Sequence, residues 1–94
     1  MKILVLFFLS LTLHAQDAKQ KAKMCSSCHG ENGISANSLW PNLAGQKPDY
    51  LVKQLKAFRE GIRIDPLMSP VSQTLSDDDI QQLAKYFAEL KAAP

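Results

Sequence analysis

Five consecutive residues, Cys25 to His29, hold both cysteines of this 94-residue chain and one of its two histidines. The two thiols stand three positions apart, and the imidazole follows the second thiol directly. On a helix, residues three positions apart share one face. Whatever this chain folds into must therefore accommodate a site that uses two thiols and an imidazole from a single helical turn.

The N-terminal residues predict a cleaved secretory signal peptide. Lys2 gives a positive start, residues 3–13 are apolar except for one serine and one threonine, and Ala15 is a small residue before the expected cut. An apolar run of 11 residues is shorter than the ~18 that span a bilayer, and the layout is that of a secretory leader. We expect residues 1–15 to be a signal peptide, residues 16–94 to form a single domain, and the protein to lie in the periplasm. An uncleaved anchor or a buried helix is the alternative.

The charge of residues 16–94 limits the kinds of partner that this chain is expected to bind. Residues 16–94 contain 10 Lys or Arg and 9 Asp or Glu, and a chain so close to neutral gives no electrostatic basis for binding nucleic acid. Their only histidine is His29. A domain of this size buries only about 60–65% of its unfolded surface. A staple, a metal or a cofactor is therefore expected to help hold it together.

The hydrophobic spacing predicts an all-α fold with about three main helices and no strand. The first helix runs from Asp17 to about Cys28 and the second from Pro48 to Glu60. The third follows Ser76, because that serine and the three aspartates after it form a helix-capping signal rather than a metal site. Two long loops remain, Gly30–Lys47 and Gly61–Leu75, and loops of this length in so small a domain are expected to wrap around something.

Cys25, Cys28 and His29 form the Cys-x-x-Cys-His pattern of covalent haem attachment. On one helical turn, each thiol can form a thioether to one edge of a haem while the next residue projects its imidazole toward the iron. Other sites fit less well. Structural zinc normally takes four Cys or His ligands, and residues 16–94 hold three. A thioredoxin-like pair expects a βαβ context, and a disulfide explains neither the histidine nor the long loops. The pattern favours haem c as the cofactor.

Around this motif the chain resembles the small class I c-type cytochromes of bacteria. The resemblance covers residues 18–90, including the Cys-x-x-Cys-His-Gly motif, Pro-Asn-Leu-Ala-Gly-Gln from position 41 and Leu-Ala-Lys-Tyr-Phe from position 83. It implies the cytochrome c fold, wrapped around one covalently bound haem. It also implies that the carbonyl of Pro41 accepts a hydrogen bond from the second ring nitrogen of His29, with a simple turn residue as the alternative for Pro41. Tyr86 and Phe87 match the aromatic pair that packs the terminal helix across the first.

The resemblance, together with elimination, assigns Met68 as the second axial ligand. His29 is the only histidine after the leader, and Met24 lies on the helix that carries it. Met68 lies in the second long loop between Pro66 and Pro70, where the prolines are expected to exclude a regular helix and to stiffen the backbone. His and Met are a recognised axial pair in cytochromes c. The predicted iron ligands are therefore His29 and Met68, and the alternative for Met68 is filling a gap in the core.

A haem iron with both axial positions filled exchanges electrons and leaves no position for a substrate. We therefore expect a one-electron carrier, not an enzyme, that docks transiently on redox partner proteins: a membrane oxidase, a reductase or a periplasmic dehydrogenase. Two alternatives remain open: a haem subunit of a periplasmic oxidoreductase complex, and a gas-binding or sensing protein if Met68 does not ligate the iron. Trp40 and Arg63 are candidates to bind the haem propionates, with packing of Trp40 and solvent exposure of Arg63 as the alternatives.

Overall fold

A computed structural model describes residues 17–94, and the predicted signal peptide at residues 1–15 lies outside this range. The described chain forms four helices: α1 at residues 17–29, α2 at Pro48–Arg59, α3 at Met68–Gln73 and α4 at Asp77–Ala88. Residues 17–94 contain no β-strand, which confirms the all-helical prediction. Over the same residues, no helix has both the length and the apolar character needed to cross a membrane.

Helix α1 turns a stripe of small residues toward the core, as its spacing predicts. Ala18 is 9% exposed and Ala22 only 1%. Small side chains at these positions let other helices approach closely. Ala22 shares one buried cluster with residues of α2, of α4 and of the chain between α3 and α4, namely Leu51, Leu75, Ile80, Leu83, Ala84 and Phe87.

The aromatic pair of α4 belongs to this core. Phe87 is 3% exposed, and it lies in the same cluster as Ala22 of α1. The ring of Tyr86 meets that of Phe87 edge-on, with the ring centres 5.2 Å apart and the planes at 89°. Such a pair contributes about 0.5–1.5 kcal/mol beyond the area it buries. Its role is structural, as the resemblance implies.

Helix α4 begins at the predicted capping signal. The Ser76 hydroxyl accepts a hydrogen bond from the Asp79 N–H, and the Asp79 carboxylate accepts one from the Ser76 N–H, both at 3.0 Å. Asp79 also pairs with Lys21 of α1, while Asp77 lies 2.6 Å from a guanidinium nitrogen of Arg59 on α2. No cluster of three or more His, Cys, Asp or Glu in the described part of the chain could hold a metal ion. The aspartates therefore start a helix and connect it to two others.

Helix α2 starts at Pro48, as predicted, and ends at Arg59, one residue before the predicted end. The chain then passes through Gly61, whose φ of +77° is favourable only for glycine. This conformation lets the N–H of Ile62 donate to the carbonyl of Ala57 at 2.9 Å. The bond closes the helix in a Schellman arrangement and leads into the second long loop.

The second long loop contains a helix that its prolines were expected to exclude. Helix α3 begins at Met68 and includes Pro70 as its third residue. The prediction that Pro66 and Pro70 prevent a helix was wrong, because the first N–H groups of a helix have no acceptor within it and a proline there loses no bond. At its far end, Ser72 and Leu75 are 0% and 7% exposed and anchor the segment in the core.

Candidate functional site

A cavity of about 300 Å³ opens between α1, α2 and the two long loops. Cys25, Cys28 and His29 reach it from the end of α1, Pro41 lines it from the first loop, and Met68 reaches it from the start of α3. The structure thus brings all five predicted site residues to one cavity. Most of the remaining wall is apolar and includes Leu39, Leu43, Leu51, Leu55, Phe58 and Leu67.

The two thiols face the cavity from one turn of α1, and both are free. Burial, followed by the neighbouring Cys28, raises the pKa of the Cys25 thiol to about 11. This thiol is therefore protonated at neutral pH, in contrast to the low-pKa thiolates of redox pairs and metal sites. The Ser26 hydroxyl between the thiols donates to the carbonyl of Ala22 at 2.9 Å, within the helix. A raised thiol pKa disfavours the thioredoxin-like alternative.

The imidazole of His29 is buried and held in a defined orientation. Only 6% of the residue is exposed, and its Nδ1 lies 2.8 Å from the carbonyl oxygen of Pro41. Because a carbonyl oxygen only accepts, Nδ1 carries the proton and Nε2 keeps its lone pair for a ligand. A partner of this kind fixes the ring and raises the basicity of the other nitrogen. The contact is the one that the resemblance implies.

The first loop holds Pro41 in place because it is closed on itself. Directly after the motif the chain turns at Gly30, whose φ is +88°, and a Cβ there would lie 2.0 Å from the carbonyl oxygen of Ile34. Further along, the carbonyl of Gly33 accepts hydrogen bonds from the N–H groups of residues 43 and 44, at 2.8 and 3.0 Å. These bonds tie the beginning of the loop to the segment that follows Pro41.

Met68 reaches the cavity from the second loop and is half-buried. The Asp65 carboxylate accepts hydrogen bonds from the N–H groups of Leu67 and Met68, at 2.9 and 2.8 Å. The bonds from Met68 and then from Leu67 lower the pKa of Asp65 from its ordinary value. Met24, the other methionine among residues 17–94, is 43% exposed on α1 and is not part of the cavity wall. The geometry therefore distinguishes the two methionines.

Asp65 also lines the cavity, and it was not among the predicted site residues. The sequence carries a signal for it, because an Asp side chain commonly accepts hydrogen bonds from backbone N–H groups two and three positions further on, at a turn or a helix start. The expectation that Pro66 excludes a helix concealed this signal.

Trp40 and Arg63, the candidate propionate partners, both line the cavity. Trp40 is half-buried. The guanidinium carbon of Arg63 lies 4.5 Å from the centre of the Phe58 ring, which is a cation–π distance. A nitrogen of the same guanidinium donates to the Gln54 side chain at 2.8 Å. Arg63 is exposed, although these contacts hold it at the cavity wall, and propionate binding stays a prediction for both residues.

These residues fit a covalently attached haem. Two reduced thiols on one helical turn, an imidazole with a lone pair on Nε2 and a thioether all line one largely apolar cavity. Cofactor sites typically combine apolar walls with a few polar groups that fix orientation. The residues present therefore supply both the attachment chemistry and the axial donors that such a group needs.

Residues 15–87 match the protein family described as cytochrome c oxidase, cbb3-type, subunit III. The chain is 41% identical over 71 residues to cytochrome c4 of Thiocapsa roseopersicina, a match that covers 76% of this chain and 36% of that relative. It therefore spans about a third of the length of cytochrome c4. It is 39% identical over 77 residues to cytochrome c-554(548) of Halomonas halodenitrificans, a match that covers 79% of this chain and 93% of the relative.

The fold has a counterpart among solved structures. The crystal structure of reduced recombinant cytochrome c4 from Pseudomonas stutzeri superposes with a TM-score of 0.66 at 42% sequence identity. The superposition covers 70% of this chain and 37% of that chain. Sequence and fold therefore point to the same group of proteins.

Proposed function

The chain belongs to the c-type cytochrome family described as cbb3-type cytochrome c oxidase, subunit III, and from this premise we propose that it is a one-electron carrier. As a c-type cytochrome it carries covalently bound haem c. The observation that supports the proposal most directly is that Cys25, Cys28, His29 and Met68 line one cavity. This set combines two attachment groups with two axial donors.

We assign Cys25 and Cys28 to the two thioethers that attach the haem. Covalent attachment retains an apolar cofactor in a domain too small to enclose it fully. We assign His29 to the iron through Nε2, since its Nδ1–H donates to the carbonyl of Pro41. Pro41 thereby keeps the imidazole from rotating and increases the electron density at the ligating nitrogen.

We assign Met68 to the second axial position. Its thioether would close that position to oxygen and to substrates, which makes the protein an electron-transfer protein rather than an enzyme. When bound, the haem iron supplies a one-electron change between its ferrous and ferric states. Bound to that iron, the Met68 thioether would favour the ferrous state and raise the reduction potential. The apolar wall acts in the same direction, because it solvates the additional charge of the ferric state poorly.

The predicted leader and the chemistry of the site together favour a periplasmic carrier that meets other redox proteins briefly. Electron-transfer encounters typically bury less than about 1,200 Å² in total. After removal of the leader the chain carries 10 basic and 9 acidic side chains, and two ionised haem propionates would bring its charge to about −1. We therefore expect transient docking on a membrane oxidase, a reductase or a periplasmic dehydrogenase, with little long-range electrostatic steering.

The assignment of Met68 is tested by a pair of methionine variants. The full chain is expressed with its own leader in a host with a c-type maturation system, and spectra are recorded for both oxidation states. Met68→Ala is expected to keep covalent haem, to lose the weak red band of methionine-ligated ferric iron and to have a markedly lower reduction potential. Met24→Ala is the matched control, because Met24 is exposed on α1 and its loss is expected to change neither quantity.

Each other outcome contradicts a different part of the proposal. An unchanged potential and red band in Met68→Ala would remove Met68 from the iron. Rapid and complete binding of carbon monoxide to the reduced natural protein would favour a gas-binding or sensing protein. Absence of covalent haem from the natural protein would contradict the assignments of Cys25 and Cys28.

A second candidate is a haem subunit of a periplasmic oxidoreductase complex, and the description of the matching family as an oxidase subunit favours it. The two candidates differ in the state in which the protein is isolated. A free carrier elutes at the size of the single chain and reduces its partner at a rate that depends on concentration. A subunit co-purifies with a larger redox enzyme in a fixed ratio and remains bound at moderate salt.

A further inference from the structure

We propose that Asp65 is a positioning residue for Met68: its carboxylate fixes the backbone at the start of α3 so that the methionine side chain is held at the cavity. The inference rests on the proposed function, because it takes Met68 as the axial ligand. It adds a residue outside the five predicted site residues. It also predicts that the ligation of the iron depends on an aspartate three positions before the methionine.

The geometry around Asp65 forms a small closed network. Its carboxylate accepts from the N–H groups of Leu67 and Met68, at 2.9 and 2.8 Å. Its own N–H donates to the hydroxyl of Ser69 at 2.9 Å, and its carbonyl accepts from the Ser69 N–H at 3.0 Å. Four hydrogen bonds therefore join Asp65 to the three residues centred on Met68.

These bonds matter because packing contributes little on this side of Met68. Ile62 and Ile64 are 81% and 84% exposed, so the chain that leads to α3 is not buried in the core. Leu67 occupies the N-cap position of α3, and its apolar side chain cannot accept a hydrogen bond. The carboxylate of Asp65 takes the part that a capping side chain normally has. The segment is fixed by local polar contacts.

A direct effect of the carboxylate charge is the competing explanation, since Asp65 itself lines the cavity. The two explanations make different predictions for the variant in which an amide replaces the carboxylate of Asp65. Asp65→Asn keeps a side-chain oxygen that accepts the same bonds but removes the charge, whereas Asp65→Ala removes both. Positioning predicts that the asparagine variant resembles the natural protein. A charge effect predicts that both variants change alike.

The test uses the haem-loaded full chain and imidazole as a probe that competes with Met68 for the ferric iron. In Asp65→Ala we expect a weaker red ferric band, a lower reduction potential and a dissociation constant for imidazole lowered about tenfold, which corresponds to about 1.4 kcal/mol. A loss of this size is that of about one net hydrogen bond. Asp65→Asn is expected to remain close to the natural protein in all three quantities. Asp78→Ala is the matched control, because Asp78 lies in the first turn of α4 and does not line the cavity.

A melting curve distinguishes the positioning of Met68 from a purely structural role of Asp65. Such a role lowers the unfolding temperature in Asp65→Ala but leaves the red band, the potential and imidazole binding unchanged at 25 °C, and this result would overturn the inference. Equal changes in Asp65→Ala and Asp65→Asn would overturn it in favour of charge. Failure of the underlying assignment is visible separately, because Met68→Ala would then leave the red band and the potential unchanged.

Discussion

On one side of the cavity, Cys25, Cys28 and His29 project from the end of α1, a helix whose inner face is buried against the core. On the other side, Met68 stands at the beginning of α3, a helix of six residues reached through an exposed segment. The imidazole is 6% exposed, while Met68 is half-buried. Tertiary packing holds the first side and local hydrogen bonds hold the second. We call the side formed by the end of α1 the rigid wall and the side formed by the start of α3 the second wall. The backbone of the second wall is expected to become mobile first.

The largest expected effect comes from removing the attachment groups on the rigid wall. Replacing Cys25 and Cys28 together by Ala eliminates both proposed thioethers, and a domain this small is expected to lose much of its core without the cofactor. Size exclusion and far-ultraviolet circular dichroism should show a largely unfolded or haem-free product. A stable, folded apoprotein would show that packing alone maintains the rigid wall.

A smaller but still large effect is expected from a glycine beside His29. Gly30→Ala places a Cβ 2.0 Å from the carbonyl oxygen of Ile34, in a backbone conformation with φ of +88°. We expect a loss of about 2–4 kcal/mol in the free energy of unfolding, from steric overlap added to left-handed strain. Denaturant titration of the haem-loaded protein measures it.

Gly61→Ala provides the matched control for Gly30. Its φ is +77°, but no atom lies within 4 Å of the added Cβ. Only the conformational cost remains, about 1–2 kcal/mol. Equal losses in the two variants would mean that the backbone beside His29 moves easily, contrary to the comparison between the two walls.

The smallest expected effect comes from removing one hydroxyl group on each side of the cavity and comparing the two variants. Ser69→Ala removes the acceptor of the Asp65 N–H at 2.9 Å, and Ser27→Ala removes a hydroxyl that donates to the Met24 carbonyl at 3.2 Å on the exposed side of α1. Each bond contributes about 0.5–1.5 kcal/mol. We expect only Ser69→Ala to lower the temperature at which the red ferric band fades, relative to the temperature of global unfolding. The same shift in both variants would contradict a locally held Met68.

The sequence predicts the rigid wall better than the other because its information is contiguous. Cys25, Cys28 and His29 are adjacent along the chain, and the spacing of Ala18 and Ala22 shows which face of α1 is buried. The contact of His29 with Pro41 joins residues 12 positions apart, and only the family resemblance indicates it. No spacing rule predicts which loop carbonyl reaches an imidazole, because that depends on how the whole loop closes.

On the second wall the sequence indicates Met68 by elimination but not what holds it. The rule that Pro66 and Pro70 exclude a regular helix fails here, because a proline in the first turn is compatible with one. If α3 is absent from the prediction, Asp65 has no helix start to stabilise and its role is not indicated. The error in secondary structure and the missed residue therefore have one physical origin.

The double hydrogen bond to the Gly33 carbonyl has a consequence for how this protein can be altered by engineering or by evolution. It closes the first loop into a clasp, which includes Gly33 and residues 43 and 44, while the exposed residues 36–39 turn on the hydrogen bonds of Asn37 with Ser35, Leu39 and Trp40. Insertions are tolerated where backbone is exposed and makes few contacts. By this criterion neither the turn at Asn37 nor the clasp is a site for insertion, and one residue added between Gly30 and Gly33 would shift the clasp and carry Pro41 away from the imidazole.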